Sequence, residues 1–334
     1  MESPKISVII PAYNASSTIV RCLDSIYALS LAESEYEVIV VDDCSQDNTV
    51  AVVEEYARKH SNLVLLRQPE NHSLGGARNR GVSVAQGKYI VFVDSDDETA
   101  EGMIAAVRMA EENELDMVVL RYVKKDQEGN VEAEVSSPFE KGRMFSGIEL
   151  QTQFPFWSVS AWSYIYKKSF LDQVYYPFVE DLYYEDSDFI NVHLYHAKRM
   201  MYSDECGYIM HYNSASITHT ISYRHLCDYV LLGTRMLRFY ESLEDKTSQY
   251  AKGILDGGSY NIRKAFRKLP RLKSYSAVRS FYERFDAHYD RKQLLGYREP
   301  AKYWTRWTRL GVKHRDLCVF LLSFTAPFSK LFQM

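Results

Sequence analysis

Residues 89–98 read Tyr-Ile-Val-Phe-Val-Asp-Ser-Asp-Asp-Glu, YIVFVDSDDE, an abrupt change from apolar to acidic. Five apolar residues without polar alternation have the length and composition of a strand buried on both faces. The run stops at Asp94, Asp96, Asp97 and Glu98, four carboxylates in five positions. Such a set repels itself unless a positive group sits among it. In an open parallel sheet, ligands collect just beyond the carboxyl ends of the strands, which is where these side chains fall.

Working outward, similar β-branched runs lie at Ile6 to Ile10, Glu37 to Val41, Leu63 to Leu66 and Met117 to Tyr122. Helical patterns separate them. The first takes Ser16 or Ser17 as N-cap and puts Ile19, Leu23, Ile26 and Tyr27 on one face; the second spans about Thr49 to His60. A third spans about Leu74 to Ala85 and stops at Gly87, a C-cap position for glycine, and a fourth follows Ala100. The alternation predicts a doubly wound α/β sheet with right-handed crossovers. Val123 to Gly147 reads as a hairpin or irregular excursion turning at Gly129-Asn130. Ser160 to Tyr166 reads as a strand, Asp186 to Ala197 as a helix and Met200 to Tyr212 as a strand. From Tyr223 the patterns are helical, with breaks at Gly257-Gly258, Pro270 and Pro300.

The chain has 334 residues, is 46% hydrophobic and carries a formal charge of -4, so it can build a real core. The charge is uneven. Asn261 to Arg315 holds 16 Lys/Arg against 4 Asp/Glu, a net of +12, which leaves -16 elsewhere. Five scattered cysteines without a CxxC pair argue for a reducing compartment and against a zinc site. The apolar run at the N-terminus is short for a signal peptide and no window suits a membrane span, so the expectation is a cytoplasmic protein.

The other strand ends are also polar: Pro11-Ala12-Tyr13-Asn14 follows the first strand and Asp42-Asp43-Cys44-Ser45 the second. Acidic groups from two strands meeting in one crevice call for a cation, and all-oxygen ligation suits Mg²⁺ or Mn²⁺. Gly75-Gly76-Ala77-Arg78-Asn79-Arg80-Gly81 adds closely approaching backbone and an arginine fork matched to phosphate or a base edge. Together these features predict a nucleoside diphosphate held with a divalent metal. Asp97 and Glu98 read as turn and helix-start residues, and Asp42 has the same simple use.

Five motifs in this order resemble the family-2 glycosyltransferases, inverting enzymes of the GT-A fold that move sugars from nucleotide donors. They are SVIIPAYNASSTIVRCLDSI, EVIVVDDCSQDNT, GGARNRG, GKYIVFVDSDD and YYEDSDF, within roughly the first 220 residues. The resemblance implies a GT-A domain over 1–220, with a nucleotide half to about residue 122 and an acceptor half from 123. Residues 221–334 then form a mainly helical, basic C-terminal region. It also implies that Tyr13 packs on uracil, Asp43 bonds its N3-H and Arg78 lies near the nucleotide, with Pro11, Asn14 and Ser95 alongside. Asp94 meets the ribose or metal, and Asp96 binds the metal bridging the diphosphate. The family's usual glycine is Cys44 here, a departure that touches the geometry of that loop.

Inversion by direct displacement needs a base for the attacking hydroxyl, and in the family it is the aspartate of a Glu-Asp pair. Glu185-Asp186 matches, which makes Asp186 the base, with Asp188 in reserve and Asp181 with Glu180 third. The stretch YNSASITHT resembles a loop closing over the donor, with His219 as a diphosphate or metal contact; His211 reads as strand core. Trp162 and Glu185 are acceptor-side candidates, and Trp157 and Tyr164 are further aromatics able to stack a sugar ring. The implied acceptor is a glycan or lipid-linked hydroxyl in surface polysaccharide synthesis. Tryptophan among basic residues at Trp304 to Arg309, beside apolar Leu317 to Leu322, suits peripheral contact with the inner face of the cell membrane. No nucleic-acid motif accompanies the basic region. Two rivals remain: a haloacid-dehalogenase-like phosphatase, for which Thr99 stands one place too late, and a non-catalytic nucleotide-sugar or glycan-binding protein.

Overall fold

The computed structural model describes residues 4–135, 138–154, 160–213, 221–272 and 274–288. The chain divides into two compact units, Met1–Ser214 and Ala215–Met334.

The first unit is built on one mixed sheet. Its parallel half holds β1 (Ile6–Ala12), β2 (Tyr36–Asp42), β3 (Leu63–Arg67) and β4 (Tyr89–Phe92) in the order β3-β2-β1-β4. Every residue of β1 is buried, as a strand covered on both faces requires. Ile6, Val8 and Ile10 join a core with α1 (Ile19–Tyr27), α2 (Thr49–Ala57) and α4 (Gly102–Glu112), while Ile9 points to the opposite core with α3 (Ser73–Val84). The period of two thus divides one strand between two cores.

Beyond β4 the order is β8 (Tyr164–Lys167), β6 (Met117–Lys125), β9 (Met200–His211) and β5 (Glu98–Thr99), with β7 (Val131–Val135) paired to β6. The order of elements along the chain puts β6 beside β4. Instead β8 enters the slot between them, antiparallel to both. Tyr164, Ile165 and Tyr166 are each fully buried, so the segment satisfies two strand edges at once and fills both cores. The excursion after Tyr122 is a hairpin, with Gly129 at φ +85° in its turn. Helices α5 (Gly147–Gln153), α6 (Lys168–Val174) and α7 (Asp186–His196) complete the unit.

Four local expectations are corrected. Thr18, not Ser16 or Ser17, precedes α1, and the Ser16 N–H instead donates to Asp47 at 3.0 Å. Gly87 does not cap α3, which ends in extended Ala85; its N–H donates to Ser7 Oγ at 2.8 Å, and a Cβ there would collide with β1 backbone. Ser160 to Ser163 is no strand, since Ala161–Ser163 forms a 3-10 turn ahead of β8. Gly257-Gly258 does not break its helix.

The second unit shows why. Its helices α8 (Tyr223–Ser242), α9 (Gln249–Lys268) and α10 (Tyr275–His288) pack around Phe266, Phe281 and Phe285, all fully buried. A Cβ on Gly233 of α8 would lie 2.5 Å from the Gly258 carbonyl oxygen, so the glycines are where the two helices cross in close contact. The turn Leu269–Leu272 ends α9 at Pro270, as expected, and Pro300 lies outside the described residues.

Candidate active site

The site lies beyond the carboxyl ends of β1, β2 and β4. At the first, Tyr13 is a large ring left 51% exposed, while Pro11 is buried. Asn14 is left-handed at φ +50°; its N–H donates to Ser45 Oγ at 2.9 Å and its Oδ1 accepts the Gln46 N–H at 2.7 Å. At the second, Asp43 is 3% exposed and accepts from Gln68 Nε2 at 2.6 Å and the His72 N–H at 2.8 Å. Burial raises its carboxyl above the usual range against those bonds. Cys44 is at φ +66°, a left-handed conformation that glycine adopts freely and a side chain adopts only with steric strain.

After β4, Asp94 and Asp96 are half-buried and Ser95 lies between them. Asp94 Oδ1 accepts from Arg78 at 2.9 Å, and Asp96 Oδ2 from Asn213 at 2.8 Å. Among the described residues each aspartate keeps one carboxylate oxygen without a hydrogen bond. Burial pushes the Asp94 carboxyl up to about 6, opposed by Arg78 and reinforced by Asp96 and Asp186. No group of three metal-type ligands converges among the described residues. Two half-open carboxylates with spare oxygens nonetheless suit a hard cation completed by water and diphosphate, so these residues fit one.

Asp97 does close a turn, its N–H donating to the Asp94 carbonyl at 3.0 Å, whereas Glu98 starts no helix. Asp97 accepts from the Tyr208 hydroxyl at 2.7 Å and the His211 N–H at 2.8 Å, which ties the acidic loop to β9. Burial, then Asp94 and Asp96, push its carboxyl up to about 8. Glu98 opens β5, and its carboxylate meets His211 Nε2 and, at 3.6 Å, Arg21 Nε. His211 therefore closes a polar contact rather than a strand core.

Arg78 organises the centre. Its side chain on α3 is 1% exposed, and its guanidinium binds Asp94, Glu185 and, at 3.0 Å, Asp186. The face of the fork lies 5.4 Å from the Phe178 ring and 6.0 Å from Phe92. Gly75, one turn earlier, meets the Val179 carbonyl so closely that no Cβ fits. That contact brings the 179–185 segment onto α3 and Glu185-Asp186 onto Arg78. Gly75→Ala is therefore expected to lower Tm by several degrees; an unchanged Tm would contradict this role.

Asp186 is the first residue of α7. Its Oδ1 faces Arg78, its Oδ2 accepts the Ala161 N–H at 3.0 Å, and about a fifth of the side chain is open at 21%. Tyr184, just before the pair, is left-handed at φ +66°, strain of the kind that concentrates at functional sites. Asp188 is buried at 2% and accepts from Tyr176 at 3.0 Å. Glu180 and Asp181 are exposed near His72.

Two acceptor-side expectations change. Trp162 is 6% exposed, stacked on Tyr208 at 4.4 Å and edge-on to Tyr122 at 4.7 Å, which makes it core without an open face for a sugar. Glu185, 2% exposed, is a partner of Arg78 rather than an acceptor contact. Tyr164 is fully buried. Trp157, His219 and the tryptophan-bearing basic stretch lie outside the described residues. Sequence reasoning missed Gln68, Tyr208 and Asn213, whose contacts with the site cross 25 to 117 positions and leave no local signal.

The chain is 32% identical over 224 residues to an uncharacterized glycosyltransferase, EpsJ, of Bacillus subtilis (strain 168), covering 64% of this chain and 63% of that one. It is 37% identical over 117 residues to a poly(ribitol-phosphate) beta-glucosyltransferase of Bacillus spizizenii, covering 34% of this chain and 18% of the relative. The matches thus span less than two thirds of these relatives' length. The crystal structure of S. aureus TarS 1-349 with UDP-GlcNAc and the structure of the Pyrobaculum calidifontis mannosyltransferase PcManGT with GDP-Man and Mn2+ share the fold. Their TM-scores are 0.64 and 0.57 at 22% and 18% identity, covering 96% and 100% of this chain and 90% and 89% of theirs. The phosphatase alternative falls away, because its motif belongs on a first strand and this one closes β4. Residues 7–175 match the glycosyl transferase family 2, and the chain belongs to that family.

Proposed function

We propose that the chain is an inverting glycosyltransferase that moves a sugar from a nucleotide donor, with UDP as the nucleotide, to a hydroxyl of a glycan or lipid-linked acceptor. One observation carries this: Arg78 gathers Asp94, from the donor side, and Asp186, from a helix start, around one buried guanidinium. In this reading Asp186 takes the proton of the attacking hydroxyl on the acceptor side, across the reacting carbon from the leaving diphosphate, as direct displacement requires. Tyr13 offers an open ring face to the base, and Asp43, with Pro11, Asn14 and Ser95, borders it. Asp94 and Asp96 would hold Mn²⁺ or Mg²⁺, which when bound neutralises charge on the departing diphosphate. His219 is a further candidate for that contact.

The named activities of the relatives and the nucleotide sugars in the TarS and PcManGT structures support a nucleotide-sugar donor, and the UDP-GlcNAc of TarS favours UDP. A poly(ribitol-phosphate) acceptor in one relative favours a role in surface polymer synthesis. In the proposed layout residues 1–220 form the catalytic domain and 221–334 a helical basic region. No helix among the described residues is long and apolar enough to cross a membrane. The net charge of +12 over Asn261 to Arg315 supports cytoplasmic placement with peripheral attachment to an anionic membrane.

A panel of sugar nucleotides with Mn²⁺, scored by release of nucleoside diphosphate and its stimulation by acceptor, tests the proposal. UDP released from a UDP-sugar is expected. Binding of a UDP-sugar without release under any condition would instead identify a binding protein. Asp96→Ala is expected to weaken calorimetric donor affinity about tenfold or more and to abolish its dependence on Mn²⁺. Equal affinity with and without metal in the unaltered protein would remove the metal from the scheme.

A further inference from the structure

The cluster around Arg78 sets one guanidinium against three carboxylates, Asp94, Glu185 and Asp186. Their access to water differs. Side chains of Asp94 and Asp186 are 24% and 21% open, whereas that of Glu185 is 3% open and the Arg78 side chain 1%. Asp94 is shared with the divalent cation proposed above, and one ionised carboxylate already balances the one guanidinium. A third negative charge would have to be held without solvent beside Asp186.

The groups facing Glu185 offer no further compensation. Arg78 meets it from α3, Asp186 follows it in the chain, and Asp94 lies across the guanidinium. Tyr166 of β8 faces the same cluster, and its hydroxyl donates to the Ala161 carbonyl at 2.9 Å. Among the described residues no second cation comes within 4 Å of these carboxylates. Glu185 Oε1 and Asp186 Oδ1 accept from the same Arg78 nitrogen, Nη1, which brings the two carboxyl groups together, and burial, then Asp186, hold Glu185 well above the usual range. Two carboxylates that close repel each other away from solvent, and one proton between them removes that repulsion. Asp186 already accepts from Arg78 and the Ala161 N–H and has the better access to water, so the buried Glu185 is the one placed to carry that proton.

We propose that Glu185 is a positioning residue carried as a neutral carboxylic acid, accepting from Arg78 and donating to Asp186, so that the base is kept ionised and aimed. The role given to Asp186 rests on the function proposed above; the protonation of Glu185 does not.

Glu185→Gln keeps the shape and the donor of a neutral acid and removes the titration. A carboxyl whose folded pKa is raised contributes stability in full below its unfolded value, about 4.3, and loses it as pH rises toward the folded value. Thermal unfolding of E185Q is therefore expected to match the wild type near pH 4.5. At pH 8 it should exceed it by about 4 °C or more, with the gap widening steadily in between. A lower Tm for E185Q with no widening toward alkaline pH would overturn the proposal, because that is the behaviour of an ionised Glu185 paired with Arg78. In transfer assays Glu185→Ala is expected to lower kcat by about 100-fold with donor affinity retained, and Glu185→Gln to recover most of it. A Gln variant as impaired as the Ala variant would also overturn it. If the wild type transfers no sugar, the pH-dependent Tm comparison still decides the state of Glu185, which separates failure of this inference from failure of the proposed activity.

Discussion

Asp186→Asn is expected to lower kcat for sugar transfer by about 10²–10⁴-fold, the range for losing a general base, with the donor dissociation constant within a few-fold of wild type. The asparagine side chain has nearly the same shape, and its carbonyl oxygen can still accept from Arg78. What it loses is the capacity to take a proton. The donor side is untouched, because Tyr13, Asp43, Asp94 and Asp96 are held by other contacts. Asp188→Asn should leave kcat nearly unchanged, since Asp188 is 2% exposed and its carboxylate accepts from Tyr176. Transfer by D186N at near wild-type rate would reject Asp186 as base.

Arg78→Ala is expected to cost about 3–5 kcal/mol of folding stability in urea titrations, the range for removing one partner of a buried ion pair. Here the loss strips the positive charge from three carboxylates at once. Arg78→Lys should recover less than half, because one ammonium cannot reproduce a fork that spans Asp94, Glu185 and Asp186. The penalty should also shrink as pH falls. Without Arg78 the raised carboxyls titrate higher still, so protonation relieves the variant while the wild type, with Asp94 at about 6, gains less. A loss under about 1 kcal/mol, or one independent of pH, would show that the cluster is solvated and not a buried hub.

The two predictions probe one centre that was visible in the sequence only as separate pieces. Asp94-Ser95-Asp96, Arg78 and Glu185-Asp186 each stand out by residue type and by place after a strand or at a helix start. That Arg78 touches all three carboxylates could not be read, because the contacts to Glu185 and Asp186 cross 107 and 108 positions. Gly75 was legible as a site of close approach, but the surface it approaches is the Val179 carbonyl. Trp162 carried the right chemistry for a sugar platform; its burial against Tyr122 and Tyr208 assigns it to the core.

By itself the sequence determined the elements whose cause is local. Apolar runs made β1 to β4, polar faces made the helices between them, and the jump from Val93 to Asp94 marked the strand end that carries the site. Tertiary structure decided the pairings: β8 between β4 and β6, Gly258 at a helix crossing, Asp97 fastened to β9, and Glu185 shut away from water beside Asp186. The division has a physical reason. Periodicity and backbone preference act over a few residues and leave their mark in order, whereas edge satisfaction, close packing and desolvation of charge depend on which distant segments meet.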